Sequence, residues 1–123
     1  MYQLEIDRER GLIRLTARGP ILYREAARIL DEHSRAILEL APRHRVKILV
    51  DTREIPVLTA DVGALLVEYQ RFAVARGVWR IAHVLSSEAT RFQAVRLSRE
   101  SGIDAVTRHF PDEAAAHAWL LSP

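Results

Sequence analysis

Asp51, which ends the apolar run Val46-Lys47-Ile48-Leu49-Val50, and the consecutive hydroxyls Ser86 and Ser87, which end the run Trp79 to Leu85, are the residues of this chain best placed to do chemistry. A carboxylate can accept a phosphoryl group or take a proton, and a hydroxyl can attack, but each needs company. A serine nucleophile requires a histidine base and an orienting acid, and no G-x-S-x-G turn occurs to present one. Neither a P-loop nor a G-x-G-x-x-G loop is present to cradle phosphate. The five histidines, His33, His44, His83, His109 and His117, include no pair at the spacing of helical metal ligands, and there is no cysteine to assist them. His83 lies in mid-run on the same side as Trp79, Ile81 and Leu85, which reads as a core histidine hydrogen-bonded to a neighbour. These residue types predict a protein that is not an enzyme and uses no metal or cofactor.

The composition points the same way. With 123 residues, 49% hydrophobic and 28% charged, the chain is long enough for one core and too short for two, so a single domain over 1–123 is expected. Eighteen basic residues face sixteen acidic ones, a net charge of +2, and the arginines are scattered rather than gathered into one run. A nucleic-acid partner needs a concentrated basic face, so none is expected; Arg91, Arg96 and Arg99 read as a solvated helix surface. No stretch approaches the eighteen apolar residues of a membrane span and the N-terminus does not resemble a signal peptide, so a cytoplasmic location is expected by elimination.

The elements that must position these residues follow from periodicity. Tyr2, Leu4 and Ile6 alternate with Gln3, Glu5 and Asp7, a half-buried strand. A polar turn with Gly11 leads to Leu12, Ile13, Leu15 and Ala17, so the first two strands form a hairpin that Gly19-Pro20 stops. Leu22, Ala26, Ile29, Leu30, Ile37 and Leu40 mark a long amphipathic helix over Ile21 to Ala41, ended by Pro42. Val46 to Val50 is a strand buried on both faces, closed by Asp51. Thr52 to Leu58 reads as a loop. Thr59 then caps, and Asp61 charges the first turn of, a helix through Val62, Leu65, Leu66, Tyr69, Phe72 and Ala73 to a glycine stop at Gly77. Trp79 to Leu85 is a strand, and Ser86-Ser87 offers caps for a helix ending at Gly102. Ala105 to Phe110 is the last strand, followed by a short helix from Asp112 to Leu121 that Trp119 and Leu120 must dock, because so short a helix is unstable alone. The order β-β-α-β-α-β-α-β-α predicts an α/β fold with a mostly parallel five-stranded sheet in which only the first strand is antiparallel.

Over nearly its whole length the chain resembles the SpoIIAA-like family, related to the STAS domains of anti-sigma-factor antagonists and of anion transporters. The resemblance rests on the hairpin followed by Gly19-Pro20 and a long helix, on Val46-Lys47-Ile48-Leu49-Val50-Asp51, on Arg80-Ile81-Ala82-His83-Val84, and on the closing run from Phe110-Pro111-Asp112-Glu113 to Trp119-Leu120. It implies the fold just derived. Anti-sigma antagonists carry a phosphorylatable serine at the helix after the third strand, where this chain has Leu58-Thr59-Ala60-Asp61-Val62-Gly63: no serine, Asp61 near the serine's place, and Thr59 as the hydroxyl. Asp51 with a hydroxyl on the next strand also resembles the acceptor of a receiver domain, but the last strand carries Arg108-His109 and no lysine, and the chain begins with a hairpin.

Ligands in open α/β sheets gather at the carboxyl ends of the strands. The candidate binding residues are therefore Asp51, Thr59, Asp61, Tyr69, Ser86 and Ser87, and the resemblance implies a non-enzymatic interaction or regulatory domain whose protein partner, or second copy, meets the Thr59 to Phe72 helix and the edge formed by Asp51 and Ser86. The alternative is a carrier of a small apolar, lipid-like ligand, with Tyr23, Tyr69, Phe72 and Trp79 lining its pocket. A homodimer is expected, because a small sheet with helices mainly on one face leaves the other face or an edge apolar.

Overall fold

The hairpin is formed by β1 (Tyr2–Asp7) and β2 (Leu12–Arg18), paired antiparallel so that Leu4 faces Leu15 and Ile6 faces Ile13. In the computed structural model, which describes residues 1–123, β3 (Lys47–Glu54), β4 (Arg80–Val84) and β5 (Thr107–Phe110) then add in chain order and in parallel, giving the sheet order β1-β2-β3-β4-β5. The crossovers are α1 (Tyr23–Leu40), α2 (Ala60–Ala75) and α3 (Glu88–Ser101), with α1 packed on α2 and α2 on α3. Crossovers of one hand between consecutive neighbouring strands put all three helices on the same face. The closing helix α4 (Glu113–Leu120) lies against β3, β4 and β5 on the other.

Two cores result. On the three-helix face Ile13, Ile48 and Ile81 of neighbouring strands meet Ala36, Ile37 and Leu40 of α1, Ala73 of α2 and Ile103. On the α4 face Leu12, Leu49, Ala82 and Val84 meet Ala116 and Leu120. Burying an aliphatic side chain of this size stabilises the fold by about 1.5 to 3 kcal/mol relative to leaving it exposed.

The elements follow the sequence closely, with three differences. β3 continues through Thr52, Arg53 and Glu54, read above as loop, because Arg18 pairs with Glu54 and the Gly19 amide donates to the Glu54 carbonyl at 3.0 Å. The last strand starts at Thr107 rather than Ala105: Ile103–Val106 forms one 3-10 turn, bracketed by left-handed Gly102 (φ 85°) and by the Thr107 hydroxyl, which donates to the Ile103 carbonyl at 2.8 Å. The sheet face opposite the three helices is not left apolar, since α4 covers its apolar part and the remainder carries Gln3, Glu5, Arg14, Thr16 and Asp51. The uncovered apolar face, one of the two grounds on which a homodimer was expected, is therefore absent.

Gly11 is the one glycine that both backbone and packing demand. Its φ is +67°, and a Cβ there would stand 2.5 Å from the Cβ of His44. Its carbonyl accepts the Lys47 amide at 2.9 Å, so a shift at this turn also disturbs the start of the β2–β3 ladder. Gly11→Ala is expected to cost about 2 kcal/mol from the left-handed backbone and the clash together, read as a lowered midpoint in urea unfolding.

Candidate functional site

Between the three-helix face and the carboxyl half of the sheet the packing opens. Where Ile13, Ile37 and Leu40 fill the amino half, small side chains stand in the carboxyl half: Ala17 on β2, Ala26 on α1 and Ala94 on α3 all line a cavity of about 170 Å³. Strands β2 to β5, helices α1 to α3 and the loop residues Ile21, Ile55, Pro56 and Leu58 all contribute to its wall.

The wall carries no Asp, Glu, Lys or Arg among its 27 residues, and its polar side chains are mostly occupied by one another or by backbone. Gln93 accepts from the Leu58 amide and donates to the Leu58 carbonyl, both at 2.8 Å, pinning the loop before α2 to α3. The Ser98 hydroxyl donates to the Val95 carbonyl. Thr52 Oγ1 and His83 Nε2 are 2.8 Å apart, and the rings of His83 and His109 lie side by side on neighbouring strands, 5.7 Å between centroids. Tyr69 is hydrogen-bonded through its hydroxyl to Nδ1 of buried His33. Burial pushes the Tyr69 phenol up and the His33 imidazole down to about 4. Burial, reinforced by His109, brings His83 down to about 3, and burial followed by the charge of Arg91 lowers His109. All three histidines are therefore neutral at pH 7. Two ring nitrogens, His33 Nε2 and His109 Nε2, are buried without a hydrogen-bond partner.

The six candidate residues of the sequence do not form one site. Tyr69 alone lines the cavity. Asp51 points to the α4 face, where it is buried and held by Arg53 through Oδ1–Nε and Oδ2–Nη2 contacts of 3.0 and 2.7 Å; burial raises its carboxyl pKa, but the bonds from Arg53 outweigh this and leave it below the ordinary value. The Ser86 hydroxyl donates to the Arg53 carbonyl at 2.9 Å, and Ser87 caps α3 by accepting from the Thr90 amide at 3.1 Å, as expected. Thr59 is the N-cap residue of α2 by backbone geometry but makes no capping bond: its hydroxyl donates to Asp61 at 2.5 Å, and it is Asp61 that accepts a helix amide, from Val62 at 2.9 Å. Of the aromatics expected in a pocket, Tyr23, Phe72 and Trp79 are elsewhere. Tyr23 is exposed, Phe72 packs on the core beside Arg76, and the Trp79 ring is covered by Arg80 at 4.1 Å. The sequence reading missed Thr52, Gln93 and His109 as wall residues. The available signal was strand parity, since Thr52, His83 and His109 alternate with residues of the α4 face.

No family model matches the chain, and no curated protein matches it. Solved structures do. The anti-sigma factor antagonist SpoIIAA in its unphosphorylated form superposes with a TM-score of 0.61 at 18% identity, covering 97% of this chain and 96% of that one. An anti-sigma factor antagonist from Mycobacterium paratuberculosis superposes with a TM-score of 0.57 at 17% identity, covering 99% and 96%. With the hairpin start, the parallel strand order and the helix placement shared over almost the full length of both, this protein has the SpoIIAA-like, STAS-type fold.

Proposed function

We propose that the protein is a non-catalytic regulatory module that binds a protein partner at the end of the domain from which the strand-to-helix loops emerge. The observation that carries this reading is a set of large apolar side chains exposed at that end: Leu22 before α1 (74% exposed), Tyr23 at its start, Val57 in the loop before α2 and Phe92 near the start of α3 (76% exposed). Single exposed apolar residues are ordinary, but several on adjoining loops of one end are the usual mark of a contact surface. Thr59 and Asp61 lie at the same end, and Asp61 supplies a permanent negative charge to the start of α2. Asp51 lies outside this surface, on the far face of the sheet. The fold shared with two anti-sigma factor antagonists supports a partner-binding role. A non-catalytic role is supported by the engagement of the candidate nucleophiles, Ser86 and Ser87, with backbone groups.

The test is capture from the source organism with the wild-type chain, with Val57→Asp/Phe92→Asp, and with Val74→Asp, whose exposed side chain sits at the opposite end of α2. A specific partner should survive Val74→Asp and be weakened at least about tenfold by the rim pair, since central apolar side chains dominate interface energetics. A second copy of the chain is the other candidate occupant of this rim, and sedimentation of the same three proteins at micromolar concentration reads it directly. A wild-type chain that stays monomeric and retains no protein in a rim-dependent way refutes the proposal.

A further inference from the structure

The cavity between α1, α2, α3 and the sheet lies beneath the rim: the same loops supply Ile21, Ile55, Pro56 and Leu58 to its wall, but none of the exposed rim side chains lines it. Its volume of about 170 Å³ is close to the roughly 150 Å³ of an engineered apolar cavity that stays dry and takes up benzene. Its size therefore admits one ring or a short branched chain. Its wall has no charged side chain, so nothing in it offsets the desolvation of an ionised ligand. Its polar groups are bonded within the protein with one exception that is buried: His109 Nε2, on β5 beside His83, has no partner. Buried polar atoms in folded proteins almost always find one.

We propose that this cavity is a binding site for a small, uncharged, predominantly apolar molecule of about one ring in size, carrying a single hydroxyl or carbonyl group that bonds to His109. The apolar part rests against Leu66 and Leu97, and the polar group sits toward β5. The neutral imidazole serves either kind of head group, because its proton can sit on either ring nitrogen, making Nε2 a donor in one tautomer and an acceptor in the other. No rim side chain lines the cavity, so rim substitutions test partner binding and cavity substitutions test this site separately.

Benzene, phenol and benzoate are the probes, with the ring signals of Tyr69, His83 and His109 in NMR as the readout. Phenol is expected to shift all three saturably and to bind about fivefold more tightly than benzene, the value of one modest hydrogen bond; benzoate is expected to give no saturable shift. Ala94→Leu fills the space from α3 and should abolish binding of both neutral probes while raising the melting temperature, and Leu66→Phe does the same from α2 if the first variant does not fold. His109→Leu should reduce phenol to the affinity of benzene and leave benzene within about twofold. The proposal is overturned if neither neutral probe shifts the three rings, if benzoate binds as well as phenol, or if the folded cavity-filling variant still binds. A phenol preference that survives His109→Leu overturns the assignment of the polar end.

Discussion

Leu120→Ala is expected to be among the most destabilising single truncations in the protein, at about 3 to 5 kcal/mol, with a melting temperature lower by roughly 10 to 20 °C. Leu120 is fully buried, and with Ala116 it is what α4 inserts between Leu12, Leu49, Ala82 and Val84. An eight-residue helix does not hold itself together, so losing this anchor puts the whole element at risk. Trp119, which the sequence names beside Leu120 as a docking residue, plays a different part. It is half-buried at the margin, its ring 5.7 Å from Phe110 and flanked by the guanidinium groups of Arg80 and Arg108 at 4.9 and 5.2 Å. Arg80 also donates to the carbonyls of Trp119 and Ser122 at 2.8 and 3.0 Å, closing the carboxyl end of the helix. Trp119→Ala is therefore expected to cost about 2 kcal/mol, less than Leu120→Ala. Urea unfolding of the two variants at one pH decides it: if Trp119→Ala proves the more damaging, the helix is held by its stacked margin and not by its buried face.

Acidification from pH 7 to pH 5 is expected to cost a further large part of the stability. Folded His33 titrates at about 4 because burial disfavours its cation, against an ordinary value of 6.5. Between these values the unfolded chain takes up a proton that the folded chain refuses. The contribution is thus fully present above about pH 6.5, falls as the pH drops, and levels off only near pH 4. Down to pH 5 His33 alone accounts for about 2 kcal/mol at roughly 1.4 kcal/mol per pH unit. His83, lowered to about 3, and His109, lowered by burial and by Arg91, act in the same direction. Denaturant midpoints at pH 7 and pH 5 for the wild type and for His33→Gln measure the effect, and the variant should lose markedly less over this interval. Equal losses in the two proteins would mean that His33 is protonated without penalty, and that its pairing with Tyr69 does not exclude water.

Much of the fold was legible because its signals are local. The hairpin shows as period-two alternation in Tyr2 to Asp7, and the glycine stops at Gly77 and Gly102 show as breaks in helical periodicity; both adopt the left-handed backbone, with φ of 73° and 85°. Thr52 to Glu54 was not legible as strand, because three polar residues before Ile55-Pro56 look like a turn, and only their pairing with Arg18 and Gly19, more than thirty residues away, makes them extended. Ile103 to Val106 was blurred for a related reason: a stretch of three apolar residues around Asp104 suits a strand or a tight helical turn equally, and the choice rests on Gly102 and on the Thr107 hydroxyl.

The candidate site was less legible than the fold. Ser86 and Ser87 do follow the end of β4, as the sequence indicates, whereas Asp51 lies inside β3, which runs on to Glu54; a strand buried on both faces shows no amphipathic bias, so nothing in Val46 to Asp51 says which side each residue faces. Once α4 alone is seen to cover one side, parity sends Asp51 to it and Thr52 to the other. What the sequence by itself determined is the order of elements, the parallel architecture and the lack of a concentrated catalytic or metal-binding motif, all set by periodicity, caps and residue type along short stretches. What only the tertiary structure decided is the cavity, the unpaired nitrogen of His109 in its wall, and the role of Leu120 over Trp119. Each depends on the volume left between elements distant in the chain, and a volume is a property of packing that no single segment encodes.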